Sequence, residues 1–247
     1  MSKDFIKSAL QAAGVFPLVR TVYRRFSSGV RLQQRREVEF YAQVLKPNGL
    51  CFDVGANLGQ RSEVFLKLGN RVIILEPNIK CRSTLDFLFA RNEKAEIITS
   101  AVGRKSGVIE FYSHGTAATS SALPDWDRKV FGRDRGQVSQ TVPMITLDDL
   151  VSRYGIPDFV KIDVEGFELE VLSGISQPLP LLSFEFHSDD MAKTRPCLTR
   201  LSSLGELSLR ACSMDCDWLT PRTDNPDECL RIIEATQAKG DLFVWTV

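Results

Sequence analysis

The run Leu50-Cys51-Phe52-Asp53-Val54-Gly55-Ala56-Asn57-Leu58-Gly59 passes from an apolar strand into a glycine-containing turn. Glycine at 55 and 59 permits tight turning and lets a ligand approach the backbone closely. The segment Ser62–Leu68 that follows is helical in pattern and offers free N–H groups at its start. Asp53, at the strand end, is placed to hold a ligand's ammonium group. A plain structural turn would use the same glycines, so this stretch alone names no ligand.

Working outward, Val72–Leu75 is a second apolar run of strand length, stopped by Glu76-Pro77. Asn78 is the expected cap of a helix over Ile79–Arg91, and Glu96–Val102 reads as the third strand. Val108–Tyr112 adds a hairpin strand. Further strands are expected at Phe159–Val164, Leu181–Phe186, Leu207–Ala211 and Leu242–Val247. They alternate with helices at Thr146–Tyr154, Glu168–Leu172, Thr194–Leu204 and Cys229–Ala238. Successive βα units with apolar, β-branched strands predict an α/β fold with a mainly parallel sheet covered on both faces.

The chain has 247 residues, 43% of them apolar and 25% charged, which suits one large globular domain. Its longest uncharged stretch, Val171–Phe184, contains Pro178 and Pro180 and cannot be a spanning helix. Residues 1–14 lack a signal-peptide core, with Asp4 and Lys7 where one should lie, so a cytoplasmic chain is expected. Six cysteines without a C-x-x-C pair predict reduced thiols and no zinc site. A net charge of zero conceals an asymmetry: residues 1–36 carry eight Lys/Arg against Asp4 alone, and residues 37–247 carry 23 bases against 30 acids. The division is therefore a basic helical arm, 1–36, and a body, 37–247. The acidic body argues against nucleic acid as a partner.

Within the arm, Phe5, Ile6, Ala9, Leu10 and Ala13 form one apolar face, and Leu18, Val19, Val22, Tyr23 and Phe26 form another beyond Pro17. A third helix is expected at Arg36–Leu45. The arm reads as helices packed over the pocket or sheet edge, as a dimer contact, or as a peripheral contact with an anionic membrane, which would place the chain at the membrane's inner face. Residues 113–141 have no period and read as a long loop, either a lid over an acceptor whose Trp126 offers an indole face to a sugar ring or a loop that merely covers the sheet.

Open α/β sheets bind ligands beyond the carboxyl ends of their strands. Glu76, 21 residues after Gly55, has the place of an acid that accepts hydrogen bonds from a ribose diol. Alternation along the fourth strand puts Lys161, Asp163 and Glu165 on one side, either as an internal Lys–Glu pair or as functional groups. His187 ends the fifth strand, and a histidine there can accept a proton from an alcohol or serve structurally. The other histidine, His114, lies at the edge of the long loop. The spacing with Ser62 in place of a third glycine departs from the G-x-G-x-x-G of dinucleotide-binding turns, which disfavours an NAD-dependent oxidoreductase.

Taken in order, Phe52–Gly59, Glu76-Pro77, Ile145-Thr146-Leu147-Asp148-Asp149-Leu150 and Lys161-Ile162-Asp163-Val164-Glu165-Gly166 resemble the FkbM-type methyltransferases over about residues 37–187. The resemblance implies a Rossmann-like class I methyltransferase fold with a seven-stranded, mainly parallel sheet, preceded here by the N-terminal helices. It implies S-adenosylmethionine as methyl donor, with Asp53, Gly55, Asn57 and Gly59 around the methionine portion and Glu76 on the ribose. Ser100, Ala101 and Val102 would border the adenine, and Asp163 and Glu165 would face the acceptor. The expected reaction is O-methylation of a hydroxyl on a sugar, glycan or other small molecule. His187 or Asp163 would act as base, and Lys161 would orient the carboxylates. The rival outside catalysis is a partner subunit that binds the nucleoside without turnover. A divalent ion on Asp163 and Glu165 is a further, less favoured arrangement.

Overall fold

A computed structural model of the chain describes residues 15–114, 120–121 and 137–246. The expected first helix, Phe5–Ala13, and Trp126 with most of the expected lid lie outside the described residues. The helices α1 (Phe16–Phe26) and α2 (Ser28–Val44) come first. Then follow β1 (Leu50–Val54), α3 (Gln60–Lys67), β2 (Arg71–Leu75), α4 (Ile79–Phe89) and β3 (Ala95–Ile98). The short β4 (Ala101–Val102) precedes β5 (Gly107–His114), β6 (Ser120–Ser121) and β7 (Gln137–Ile145). The remainder is α5 (Leu147–Tyr154), β8 (Phe159–Ile162), α6 (Glu168–Leu172) and β9 (Leu181–His187). It closes with α7 (Met191–Ser202), β10 (Leu207–Ser213), α8 (Pro226–Thr236) and β11 (Lys239–Thr246).

The main sheet has seven strands in the order β10-β11-β9-β8-β1-β2-β3. β9, β8, β1, β2 and β3 run parallel, and β11 is antiparallel to both of its neighbours. Side chains alternate between faces along each strand. Phe52, Ile73, Val160, Leu182 and Val244 therefore enter one core with Leu150, Val171 and Leu198. Cys51, Val72, Ile74, Phe159 and Phe243 enter the other, closed by Tyr41, Phe65 and Leu85 from α2, α3 and α4. No helix among the described residues is long and apolar enough to cross a membrane.

Three elements differ from the sequence reading. The expected strand Glu96–Val102 divides: β3 stops at Ile98, and Ala101–Val102 leaves the main sheet to pair with Met144 and Ile145 of β7. That turn is pinned where the Ser100 hydroxyl donates to the Pro143 carbonyl at 2.9 Å. Residues 137–141, read as part of the loop, begin β7, which runs antiparallel to β5 and completes a second sheet ordered β4-β7-β5-β6. α2 also begins earlier than the expected Arg36 and crosses residue 36 without a break. It is fastened to α3 by Arg61–Glu37 at 2.7 Å, and α1 is fastened by Arg24–Glu63 at 2.7 Å.

Candidate functional site

At the carboxyl end of the parallel strands the backbone opens into a cavity of about 280 Å³. The β1–α3 turn forms its floor. Gly55 N–H and Ala56 N–H both donate to the Leu75 carbonyl, at 2.9 and 3.0 Å, tying the turn to the end of β2. Gly55 has φ +82°, and a Cβ there would lie 1.8 Å from the Asp163 carbonyl, so the β1 and β8 ends meet only because residue 55 has no side chain. Gly59 serves a different purpose. It is outside the lining of the cavity, has φ +74°, and a Cβ would lie 2.4 Å from the Phe89 ring, so its constraint comes from α4 packing.

Asp53, Asn57, Glu76, Ser100, Ala101, Val102, Asp163 and Glu165 all line this cavity together with Gly55. Asp53 is buried and accepts a 2.5 Å hydrogen bond from Ser62. Burial pushes its carboxyl up to about 6, against the lowering effect of the Ser62 bond. Glu76 is a brace between two turns. One carboxylate oxygen accepts Asn57 N–H and the other Asn78 N–H, each at 2.7 Å. Burial raises it to about 7 even with those two donors. Asn78 in turn caps α4 by accepting from Lys80 N–H at 3.0 Å.

Past β8 the chain turns sharply at Glu165, whose φ of +55° is unusual for a side chain with a Cβ, followed by Gly166 at φ +98°. Burial, then the nearby Asp163 and Glu168 carboxylates, raise Glu165 to about 7. Glu165 lines a second cavity as well, of about 470 Å³, with Glu168, Glu185, His187, Lys193 and Lys239. His187 belongs to this second cavity and not to the first. Its Nε2 lies 3.5 Å from Glu185 Oε1, and burial followed by Lys239 lowers its pKa. Burial, then Asp163 and Glu165, raise the Glu185 carboxyl.

Lys161 is buried in the sheet and reaches neither cavity. Its ammonium lies 2.9 Å from Asp241 and 3.6 Å from Asp163. Burial alone would lower it, but Asp241 and then Asp163 outweigh that and hold it far above its ordinary range. The lysine is thus a fixed cation, unable to exchange a proton near neutrality. Its partner in the expected internal pair is aspartate on two sides, not glutamate. Among the described residues no group of three or more His, Cys, Asp or Glu is arranged to hold a metal ion.

Several lining residues escaped the sequence reading. Phe111 and Phe167 give the first cavity apolar walls, Met214 approaches from beyond β10, and Arg61 enters from α3. Arg61 had a legible signal, a cation in the first turn of the helix after the glycine turn. Phe111 and Met214 had none, since both arrive through long-range topology.

The strand order, the reversed β11, the glycine turn and the acid ending β2 define a Rossmann-like class I methyltransferase. The methyltransferase FkbM domain matches residues 53–203, and the chain belongs to that family of S-adenosylmethionine-dependent enzymes. It is 31% identical over 177 residues to hexuronic acid methyltransferase AglP of Haloferax volcanii, covering 68% of this chain and 67% of that protein. Among solved structures, the plantazolicin methyltransferase BpumL in complex with SAH aligns over 98% of this chain and 95% of its own, with 12% identity and a TM-score of 0.46. The precorrin-6y C5,15-methyltransferase of Geobacter metallireducens aligns over 90% of each chain, with 13% identity and a TM-score of 0.44.

Proposed function

We propose that the chain methylates a hydroxyl oxygen of a sugar or glycan, with the donor in the first cavity, the acceptor in the second and Glu165 as the base between them. The observation that carries this reading is that Glu165 lines both cavities. A proton leaving an acceptor hydroxyl as its oxygen meets a methyl group must go to a group at that junction, and a carboxylate titrating near 7 is matched to the task.

The first cavity fits the donor by charge. Among the described residues it presents Asp53, Glu76, Asp163 and Glu165 against Arg61 alone, and Arg61 is already paired with Glu37. The raised carboxyls of Asp53, Glu76 and Glu165 are acids whose burial outweighs the positive charge in reach, and a ligand of net positive charge supplies more. S-adenosylmethionine bears an ammonium and a sulfonium against one carboxylate, and when bound it supplies a methyl group already activated for transfer. Asp53, Gly55 and Asn57 would surround its amino-acid end. Glu76 would receive the ribose hydroxyls on the lone pairs left by Asn57 N–H and Asn78 N–H. Ser100, Ala101 and Val102, with Phe111, would flank the base.

The second cavity has the mixed donors and acceptors that a polyhydroxylated ring uses: Glu168, Glu185 and Asp189 beside Lys193, Lys239 and His187. His187 serves there to position the acceptor, since it is absent from the first cavity. Fixing both reactants side by side can supply about 7–11 kcal/mol of the barrier reduction, and the base adds roughly 10²–10⁴-fold. The likeness to a hexuronic acid methyltransferase supports a sugar acceptor.

The test is transfer of labelled methyl from S-adenosylmethionine to a panel of neutral glycosides, uronic acid glycosides and amino sugars. An alkali-stable methyl ether on a glycoside is expected. A methyl ester or an N-methyl product would overturn the hydroxyl assignment.

A further inference from the structure

α1 is inverted for a helix that covers a protein. Its apolar stripe of Leu18, Val22 and Phe26 faces outward, with Phe26 75% exposed, while Arg20 turns inward and is 9% exposed. Both terminal nitrogens of Arg20 are buried and have no hydrogen-bond partner among the described residues. The acids nearby are engaged elsewhere. Glu63 accepts from Arg24 at 2.7 Å and from Gln34 at 3.2 Å, and Glu37 is held by Arg61 at 2.7 Å. Burial and the adjacent Arg24 draw Arg20 down to about 10, with Glu63 near enough to offset part of this but not to bond it, and it stays charged at neutral pH.

Arg20 lines a groove of about 610 Å³ between α1 and α2, which adjoins the first cavity and lies apart from the second. Its walls are Phe16, Val19, Tyr23 and Val30, and at its inner end are Leu58 and Gln60, which also line the first cavity. A buried cation without a partner costs several kcal/mol, and a guanidinium is best matched by a planar or tetrahedral oxyanion. Apolar walls beside that cation call for an apolar body on the same ligand.

We infer that this groove is a binding site for a single amphiphilic anion, a phosphate or carboxylate head on Arg20 with its apolar chain along Phe16, Val19, Tyr23 and Val30. This does not depend on which acceptor is methylated.

The experiment is calorimetric titration of the full chain with dodecyl phosphate below its micelle concentration. Inorganic phosphate and dodecyltrimethylammonium are titrated in parallel, and phosphatidylglycerol vesicles are tested by sedimentation. One dodecyl phosphate per chain is expected. Loss of the chain or of the negative head should weaken binding by about tenfold or more. Arg20→Met should weaken dodecyl phosphate by at least about tenfold while S-adenosylmethionine still binds as in the parent chain, which certifies the fold. Because the substitution removes an unpartnered buried charge, it should also leave the melting temperature equal or higher. Three results would overturn the site: no dodecyl phosphate binding by the parent chain, equal binding of the cationic amphiphile, or undiminished binding by Arg20→Met. Capture by vesicles that Arg20→Met leaves unchanged, without monomer binding, would assign the surface to the outer stripe of α1 and equally overturn the groove.

Discussion

Lys161, on β8, reaches past β9 to set its ammonium 2.9 Å from Asp241 on β11. On that face of the sheet the aromatic contact of Phe159 with Phe243 gives way, one pleat further on, to the Lys161–Asp241 pair. The pair marks where the apolar core ends and the charged site begins. It also puts a permanent cation 3.6 Å from Asp163 at the strand end.

Replacing Lys161 by Met leaves Asp241 and Asp163 without their shared cation. A loss of about 3–5 kcal/mol in unfolding free energy is expected for such a broken buried pair. The double variant Lys161→Met/Asp241→Leu should recover most of it. Urea unfolding measures both, and a single variant within error of the parent chain would remove the pair's structural role.

Glu76→Gln keeps the shape but offers one acceptor oxygen where two backbone N–H groups now bond. One of the two turns loses its tether, at a cost of about 1–3 kcal/mol. Affinity for S-adenosylmethionine should fall about tenfold to a hundredfold by calorimetry, and unchanged affinity would mean that Glu76 does not shape the donor cavity.

The raised carboxyls of Asp53 (about 6), Glu76 and Glu165 (about 7) fix the sign of the pH dependence. Between the ordinary carboxyl range and about 7 the native chain holds more protons than the unfolded one, so stability of the ligand-free chain falls as pH rises through that window. Binding a cationic donor reverses this by favouring the ionised acids. Affinity should therefore rise with pH from about 5.5 to 8, with proton release detectable by titration in buffers of different ionisation enthalpy. Affinity flat across that range would contradict the charge-matching of the cavity.

Gly59→Ala places a Cβ 2.4 Å from the Phe89 ring at a left-handed backbone position. A destabilisation of about 1–3 kcal/mol is expected, with donor affinity little changed, since residue 59 does not line the cavity. Relief by Phe89→Leu would confirm the packing origin, and loss of binding without loss of stability would assign the glycine to the ligand instead.

What the sequence disclosed was local. The strand–turn–helix at 50–67, Glu76 with its following cap, and the acids after β8 are read from contiguous residues, and the structure gathers Asp53, Gly55, Asn57, Glu76, Asp163 and Glu165, though not Gly59, around one cavity. What it concealed depends on distant partners. Asp241 meets Lys161 only because β11 inserts beside β9, and β7 was hidden by Pro143, which interrupts the strand pattern yet pairs with Val108 in the second sheet. His187 sits at a strand end as expected, but the exit of β9 directs it to the neighbouring cavity. The periodicity of α1 correctly showed an apolar stripe, and no periodicity can say which way such a stripe faces.

Glu165 as the base at the junction of the two cavities is tested most directly by single-turnover methyl transfer with the parent chain and Glu165→Gln across pH. The parent rate should rise along an acid limb centred near 7. In Glu165→Gln the rate should fall about 10²–10⁴-fold and lose that limb, while the donor still binds. A variant that transfers methyl at the parent rate, or that keeps the same acid limb, would contradict the assignment and return the role to His187 or Asp163.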